Sequence, residues 1–312
     1  MSVMPPSWDD QQAFLAVLEE GSLSAAARRL GVTQPTMRSR IAALEARLGV
    51  TLFTRSSQGL LPTPQARALE APARAMAHAS DAFLRTAASP PGLVAGRVRL
   101  SVADFVGVEV LPAMLPPLLA RHPGLRLELA LSNRQANLTE QEADLAVRMH
   151  PPAQDTLVTR RIGEIPIGLF GHRDYLAARG RPQRLEDLAQ HSLIGPDRSA
   201  ADLALAEQLL GPRAAEMITL RVDNHPAQLA MARAGLGLVF AQRPVGRADP
   251  RLIEVLEGAV TLALPVWVVA HRDLRALPRV GAVFDHLVAA LTRYVRTGRA
   301  GPEDPARQGS RD

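Results

Sequence analysis

Two arginines one residue apart, Arg38 and Arg40, stand in the run Thr33-Gln34-Pro35-Thr36-Met37-Arg38-Ser39-Arg40, among small and polar neighbours. A guanidinium is a planar fork of N–H donors that fits phosphate oxygens and the guanine edge, so the chemistry on offer is recognition of a polyanion. Covalent chemistry has little to work with. The chain has no cysteine, which removes thiol nucleophiles, thiolate zinc sites, iron–sulfur clusters and disulfides. Histidines 78, 122, 150, 172, 191, 225, 271 and 286 show no ligand spacing and no HExxH; there is no P-loop, and Gly235-Leu236-Gly237-Leu238 is incomplete as a dinucleotide fingerprint.

The element that must carry the arginines is a helix. Thr33 reads as its N-cap, Pro35 suits its first turn, and Met37, Ile41, Leu44 and Leu48 repeat on one inward face. The opposite face then carries Pro35, Thr36, Ser39, Ala42 and Ala43, with Arg38 and Arg40 on its flanks, a surface small enough to enter a major groove. A solvated face with two ordinary surface arginines is the competing reading. Upstream, Trp8 to Glu20 has a helical apolar stripe ended by Gly21, and Ser22 caps a second helix whose Ala25, Ala26 and Ala27 permit close approach. Downstream, Leu52 to Arg55 and Leu60 to Pro62 flank the turn Ser56-Ser57-Gln58-Gly59, which predicts a hairpin, or wing, with Arg55 facing a phosphate backbone.

Thr63 caps a helix predicted from Pro64 to about Ala88, with an apolar seam of Leu69, Met76, Phe83 and Leu84 that a second copy of the chain would cover. Packing against its own domain is the alternative. Ser89-Pro90-Pro91-Gly92 makes a linker. Beyond it strands are predicted at Arg97 to Ala103, Leu125 to Leu131, Ala143 to Val147, Ile165 to Phe170, Ser192 to Gly195, Met217 to Val222, Leu236 to Phe240 and Leu262 to Ala270. Helices are predicted at Val110 to Arg121, Pro226 to Ala234 and Val280 to Tyr294, giving an α/β sheet that binds ligands at strand carboxyl ends.

All 36 basic residues are arginine, against 31 acids, for a net charge of +5. Residues 1 to 20 hold four acids and no base, and residues 21 to 100 hold eleven Arg and three acids. Residues 101 to 312 are nearly balanced, so the positive excess is confined to one early segment. With 312 residues, 47% of them hydrophobic, the chain has room for about two domains. Its longest apolar run, Leu262 to Ala270, is far short of the ~20 residues that cross a bilayer. The acidic start, Met1 to Asp10, does not read as a signal peptide, and a cytoplasmic location is expected.

The run Ser24-Ala25-Ala26-Ala27-Arg28-Arg29-Leu30-Gly31-Val32-Thr33-Gln34-Pro35-Thr36 is followed by Ile41-Ala42-Ala43-Leu44-Glu45-Ala46-Arg47-Leu48-Gly49-Val50 and Leu52-Phe53-Thr54-Arg55. It resembles the winged helix-turn-helix signature of the LysR-type transcriptional regulators. Leu111-Pro112, Ala143 to Arg148 and Ala234 to Leu238 are weaker likenesses to that family's effector domain. The resemblance implies DNA contacts from Gln34, Pro35, Thr36, Ser39, Arg40 and Arg55. Arg28, Thr33 and Arg38 of the same signature complete the candidate set. Many members have a small Ser or Gly followed by Arg where this chain has Arg38 then Ser39, so Arg38 is the candidate for that contact or for a phosphate clamp.

The implied architecture is a multidomain α+β chain: a winged helix-turn-helix over 1–64, a dimerisation helix and hinge over 65–95, and a two-lobed α/β effector domain of periplasmic-binding-protein type over 96–297. Lobe I would take about 97–165 and 270–297, lobe II about 166–269, with crossings near Ile165-Pro166 and Pro265-Val266 and a disordered tail over 298–312. An effector in the cleft would meet strand ends and helix N-termini. By that rule the candidates are Asp104, Phe105, Val106, Ser132, Asn133 and Arg148 on one side and Gly195, Asn224, His225 and Phe240 on the other. An Arg there suits a carboxylate, whereas Asp104 opposes one. The implied partners are double-stranded DNA, an unidentified small-molecule effector, further copies in a homodimer or homotetramer, and RNA polymerase; no cofactor, metal or membrane is expected. An enzyme using the α/β cleft and a solute-binding protein are the competing functions.

Overall fold

The computed structural model describes residues 6–56, 59–87, 94–133, 143–151, 157–212 and 214–301, which fall into an N-terminal and a C-terminal unit. The linker predicted at 89–92 and most of the predicted tail lie outside the described residues.

The N-terminal unit begins with α1 (Trp8–Glu20), capped by the Ser7 hydroxyl, which accepts from Asp10 N, and closed by Gly21 at φ 69°, a left-handed geometry that glycine adopts without strain. Helix α2 (Leu23–Arg29) starts at Ser22, and Ala26 and Ala27 are buried where α1 and α3 close on it. Helix α3 (Gln34–Leu48) starts at Thr33, whose Oγ1 accepts from Thr36 N at 3.3 Å. Phe14, Val17, Ala26, Met37, Ile41, Leu44 and Leu52 form one core. Leu48, expected inward with them, is 39% exposed. Its phase matches theirs, but phase sets only direction, not how far the last turn is covered.

Strands β1 (Phe53–Ser56) and β2 (Gly59–Pro62) pair antiparallel with Phe53 opposite Pro62, as the wing reading expects. Glu45 Oε1 accepts from Leu52 N at 2.6 Å and from Phe53 N at 3.3 Å, which fixes the hairpin to α3. Helix α4 (Pro64–Ala87) tolerates Pro72 and divides its surface in two. Ala66 and Ala73 are buried, and Leu69 and Ala77 pack on the unit's own core. Met76, Phe83 and Leu84 stay exposed, Phe83 at 73%. The predicted seam therefore begins at Met76 rather than Leu69.

The C-terminal unit opens with β3 (Gly96–Val102). The single helix predicted over Val110 to Arg121 is instead a π turn (Val106–Val110), a 3₁₀ turn (Leu111–Ala113) and α5 (Pro116–Arg121). Pro112, Pro116 and Pro117 explain the breaks, since each lacks an N–H and clashes with the preceding turn. Then come β4 (Leu125–Leu131), β5 (Leu145–Arg148), β6 (Leu157–His172), α6 (Arg173–Arg179), β7 (Leu193–Gly195), α7 (Ala200–Leu210), α8 (Ala214–Met217) and β8 (Ile218–Arg221). They are followed by α9 (His225–Arg233), β9 (Leu238–Gln242), α10 (Arg243–Ala248), β10 (Leu252–Val255), β11 (Ala263–His271), α11 (Arg272–Arg275) and α12 (Pro278–Thr297).

The sheet order is β4-β3-β5-β11-β6-β9-β7-β8, with β10 pairing β6. β4, β3 and β5 are mutually parallel, as are β9, β7 and β8, and β6 joins the two halves. Pro166 and earlier residues of β6 pair with β11, while Ile167 to Gly171 pair with β9. Both expected crossings fall on the β6–β11 ladder, where Ile165 pairs with Leu264 and Glu164 with Pro265. Val98, Leu100, Val102, Leu145 and Val147 pack under α12 in one core; Leu169, Leu193, Ile218 and Leu238 anchor the other half.

Candidate functional site

On α3, the caps and phase place Gln34, Pro35, Thr36, Arg38 and Ser39 on the exposed surface, where Gln34, Pro35, Arg38, Ser39 and Ala42 line a shallow recess. Thr33 is exposed, but its hydroxyl is committed to the cap and to Thr36 Oγ1 at 2.8 Å. Arg28 and Arg55 are exposed on α2 and β1.

The acidic first twenty residues serve the unit's own electrostatics, which charge counting did not reveal. Asp9 Oδ2 accepts from Arg40 Nη2 at 2.7 Å and Asp10 Oδ2 from Arg47 Nη1 at 2.8 Å; Glu19 holds Arg29 and Arg74. Arg28, Arg38, Arg55 and Arg67 have no acid partner among the described residues, so positive potential is concentrated around α3 and the wing. Arg38 and Arg40 are thus unlike. Arg38 is unrestrained, and Arg40 is held at the flank by α1.

The C-terminal unit contains a cleft of 370 Å³ between the two halves of its sheet. Asp104, Phe105, Val106, Ser132, Asn133 and Arg148 line it from strand ends of the β3 half, and Gly195, His225 and Phe240 from the other half. Asn224 is a correction: it does not line the cavity, because its Oδ1 caps α9 by accepting from Ala227 N at 2.8 Å. Its Nδ2 donates to Asp104 Oδ2 at 3.4 Å. Sequence reasoning missed Asp202, Leu205 and Leu209 on α7, Gln228 on α9, and Leu262 and Leu264 at β11. The apolar residues of α7 are spread round the helix rather than set in one stripe, so periodicity offered no signal of a cavity face.

His225 sits where a helix N-terminus meets two carboxylates. Its Nδ1 lies 3.2 Å from Asp104 Oδ1 and its Nε2 3.5 Å from Asp202 Oδ2; its backbone N donates to Asp104 Oδ2 at 3.3 Å. Burial opposes a charged imidazole, but hydrogen bonding and attraction from Asp104 and Asp202 outweigh it and push the pKa up to about 10. Burial likewise opposes the Asp104 carboxylate, yet His225 and Asn133 hold its pKa below the usual range. At neutral pH the cluster is two carboxylates around one imidazolium.

The far end of α9 repeats the pattern. Arg233 donates from Nη1 and Nη2 to Glu109 at 2.8 and 2.7 Å and from Nε to Asp249 Oδ2 at 2.8 Å. The Glu109 hydrogen bond chiefly raises the Arg233 pKa further. Between these ends Phe105 packs with Leu229 and Ala232. One helix is therefore braced to the segment after β3 by an ion cluster, an apolar plug and a bidentate ion pair. Among the described residues no group of His, Asp and Glu could hold a metal, and no helix is long and apolar enough to cross a membrane.

Residues 8–67 match the model of the bacterial regulatory helix-turn-helix protein, lysR family, and residues 91–292 match that of the LysR substrate binding domain. The Escherichia coli HTH-type transcriptional regulator PgrR is 26% identical over 59% of this chain and 62% of its own length. The HTH-type transcriptional regulator YhjC of Escherichia coli is 26% identical over 91% of this chain and 97% of its own. The full-length structure of the Vibrio cholerae virulence activator AphB, a member of the LTTR family, shares the fold at a TM-score of 0.60 and 20% identity, covering 91% of this chain and 99% of that one. The two family models together take in nearly all the described elements, and the chain belongs to the LysR-type transcriptional regulators: a DNA-binding regulator of transcription with an effector-binding α/β domain.

Proposed function

We propose that α3 enters the major groove of promoter DNA, with Gln34, Pro35, Thr36 and Ser39 against base edges, Arg38 reaching a base, and Arg28, Arg40 and Arg55 on phosphates; Thr33 sets the helix start. The observation that carries this reading is an exposed small and polar face of α3 flanked by Arg38, which has no acid partner among the described residues. In the same reading 1–64 is the DNA-binding domain, 65–95 the dimerisation helix and hinge, and 96–297 the effector domain with its cleft as the effector site. Copies pair through the exposed Met76, Phe83 and Leu84 of α4 and assemble into a homodimer or homotetramer. The effector acts by its differential affinity for two assemblies, altering the spacing of the reading helices on DNA. RNA polymerase is the downstream partner, and the cytoplasm the site of action.

A genome-wide footprint of the purified protein, followed by salt titration on a recovered fragment, tests this. The log–log slope of affinity against salt should be about −0.9 per neutralised phosphate, and a flat response defeats the reading. Transcription in vitro on that fragment, with and without the protein, tests the polymerase step.

A further inference from the structure

The cleft's charges are Asp104, Asp202, His225 and Arg148, with His150 as the other titratable lining residue. Asp104 and Asp202 are both committed to the His225 imidazolium, so Asp104 is not the free repelling charge that the sequence suggested. Arg148 has no such arrangement. It is only 4% exposed, donates from Nη1 to Val147 O at 3.2 Å and from Nη2 to Ser101 Oγ at 2.8 Å, and has no carboxylate within ion-pair distance among the described residues. Both of its acceptors are neutral oxygens, and burial alone pulls its pKa down. A buried guanidinium without a counter-charge is costly, and no acid pairs with it among the described residues.

A second observation concerns the neighbouring strand. Trp267 of β11 stands directly opposite Arg148 in the β5–β11 ladder, and opposed residues project from the same sheet face. Its indole N–H is buried with no acceptor among the described residues, and Trp267 lies beside the cavity rather than in its lining. Arg148, the one of the two that lines the cavity, thus lacks what an ionised carboxyl group brings: a negative charge and several lone pairs. Ile167, Leu205, Leu209, Phe240, Leu262 and Leu264 give the cavity an apolar wall, beside the polar Ser132, Asn133, Gln228 and Gln242. We infer that the effector is a small organic carboxylate, its carboxylate seated on Arg148 and its apolar body against that wall.

The inference rests on reading the cleft as the effector site and adds the ligand's chemical class. The test uses the full chain carrying Trp8→Phe, which leaves Trp267 as the sole tryptophan of the two present. Benzoate, 4-methylbenzoate and hexanoate are titrated against their carboxamides by calorimetry, with Trp267 emission as a local reporter. At least one acid should bind saturably and at least tenfold more tightly than its amide. Arg148→Met should abolish that preference while melting no lower than its parent without ligand, since no ion pair is lost; Arg148→Lys should keep part of it. If amides bind as well as acids, or Arg148→Met retains the preference, the carboxylate class is wrong and the cleft still stands as a binding site. If neither class binds, both the class and the effector-site reading fall.

Discussion

Replacing His225 by Gln should remove a pH-dependent brace of the effector domain, and its size follows from the geometry. The imidazolium is held by Asp104 at 3.2 Å and Asp202 at 3.5 Å, with a pKa raised from 6.5 to about 10. Taken at face value that shift corresponds to roughly 5 kcal/mol. The side chain is 32% exposed, so solvent screening reduces the contribution to about 2 kcal/mol. A group whose pKa is raised on folding stabilises fully below its unfolded value and ceases to do so as pH rises through the folded one. The parent should therefore exceed His225→Gln by about 2 kcal/mol at pH 6, with the gap closing towards pH 10. Urea unfolding in the Trp8→Phe background, followed by Trp267 emission at pH 6, 8 and 10, measures it. A gap that stays constant across this window refutes the ion-cluster account, because lost packing alone has no titration in that range.

The two arginines of α3 should separate on DNA. Arg38→Ala, which frees no partner, should cost about 1–3 kcal/mol on the operator and relax specificity, whereas Arg40→Ala should weaken all sequences alike and lower the salt slope by about 1; a uniform loss for Arg38→Ala would reassign it to phosphate. Arg233→Ala leaves Glu109, whose side chain is mostly buried, without its guanidinium, while Asp249 keeps that of Arg251. It should cost about 3 kcal/mol in the same urea assay, and a loss under about 0.5 kcal/mol would mean that the pair is solvated. Phe83→Asp with Leu84→Asp should shift sedimentation towards the monomer at micromolar concentration; an unchanged oligomer would place the dimer contact elsewhere.

The residue order by itself determined what short stretches of chain can decide. Ser7, Ser22 and Thr33 cap the first three helices, Gly21 and Gly49 end α1 and α3, and the phase of Met37, Ile41 and Leu44 aims the opposite face outward. These depend on neighbours within a turn or two, and so does the wing hairpin. The strand-end rule reached part of the cleft lining for the same reason: a strand and its following turn are adjacent in the chain. What required the folded molecule was every pairing over long separation. Arg40 and Asp9 are 31 residues apart, His225 and Asp104 are 121 apart, and Arg233 and Glu109 are 124 apart. The fate of Leu48, the division of α4 into a packed and an open half, and the lack of an acid beside Arg148 among the described residues were decided the same way. Periodicity and capping report where a side chain points, but charge compensation and burial are properties of whatever the distant chain brings to meet it.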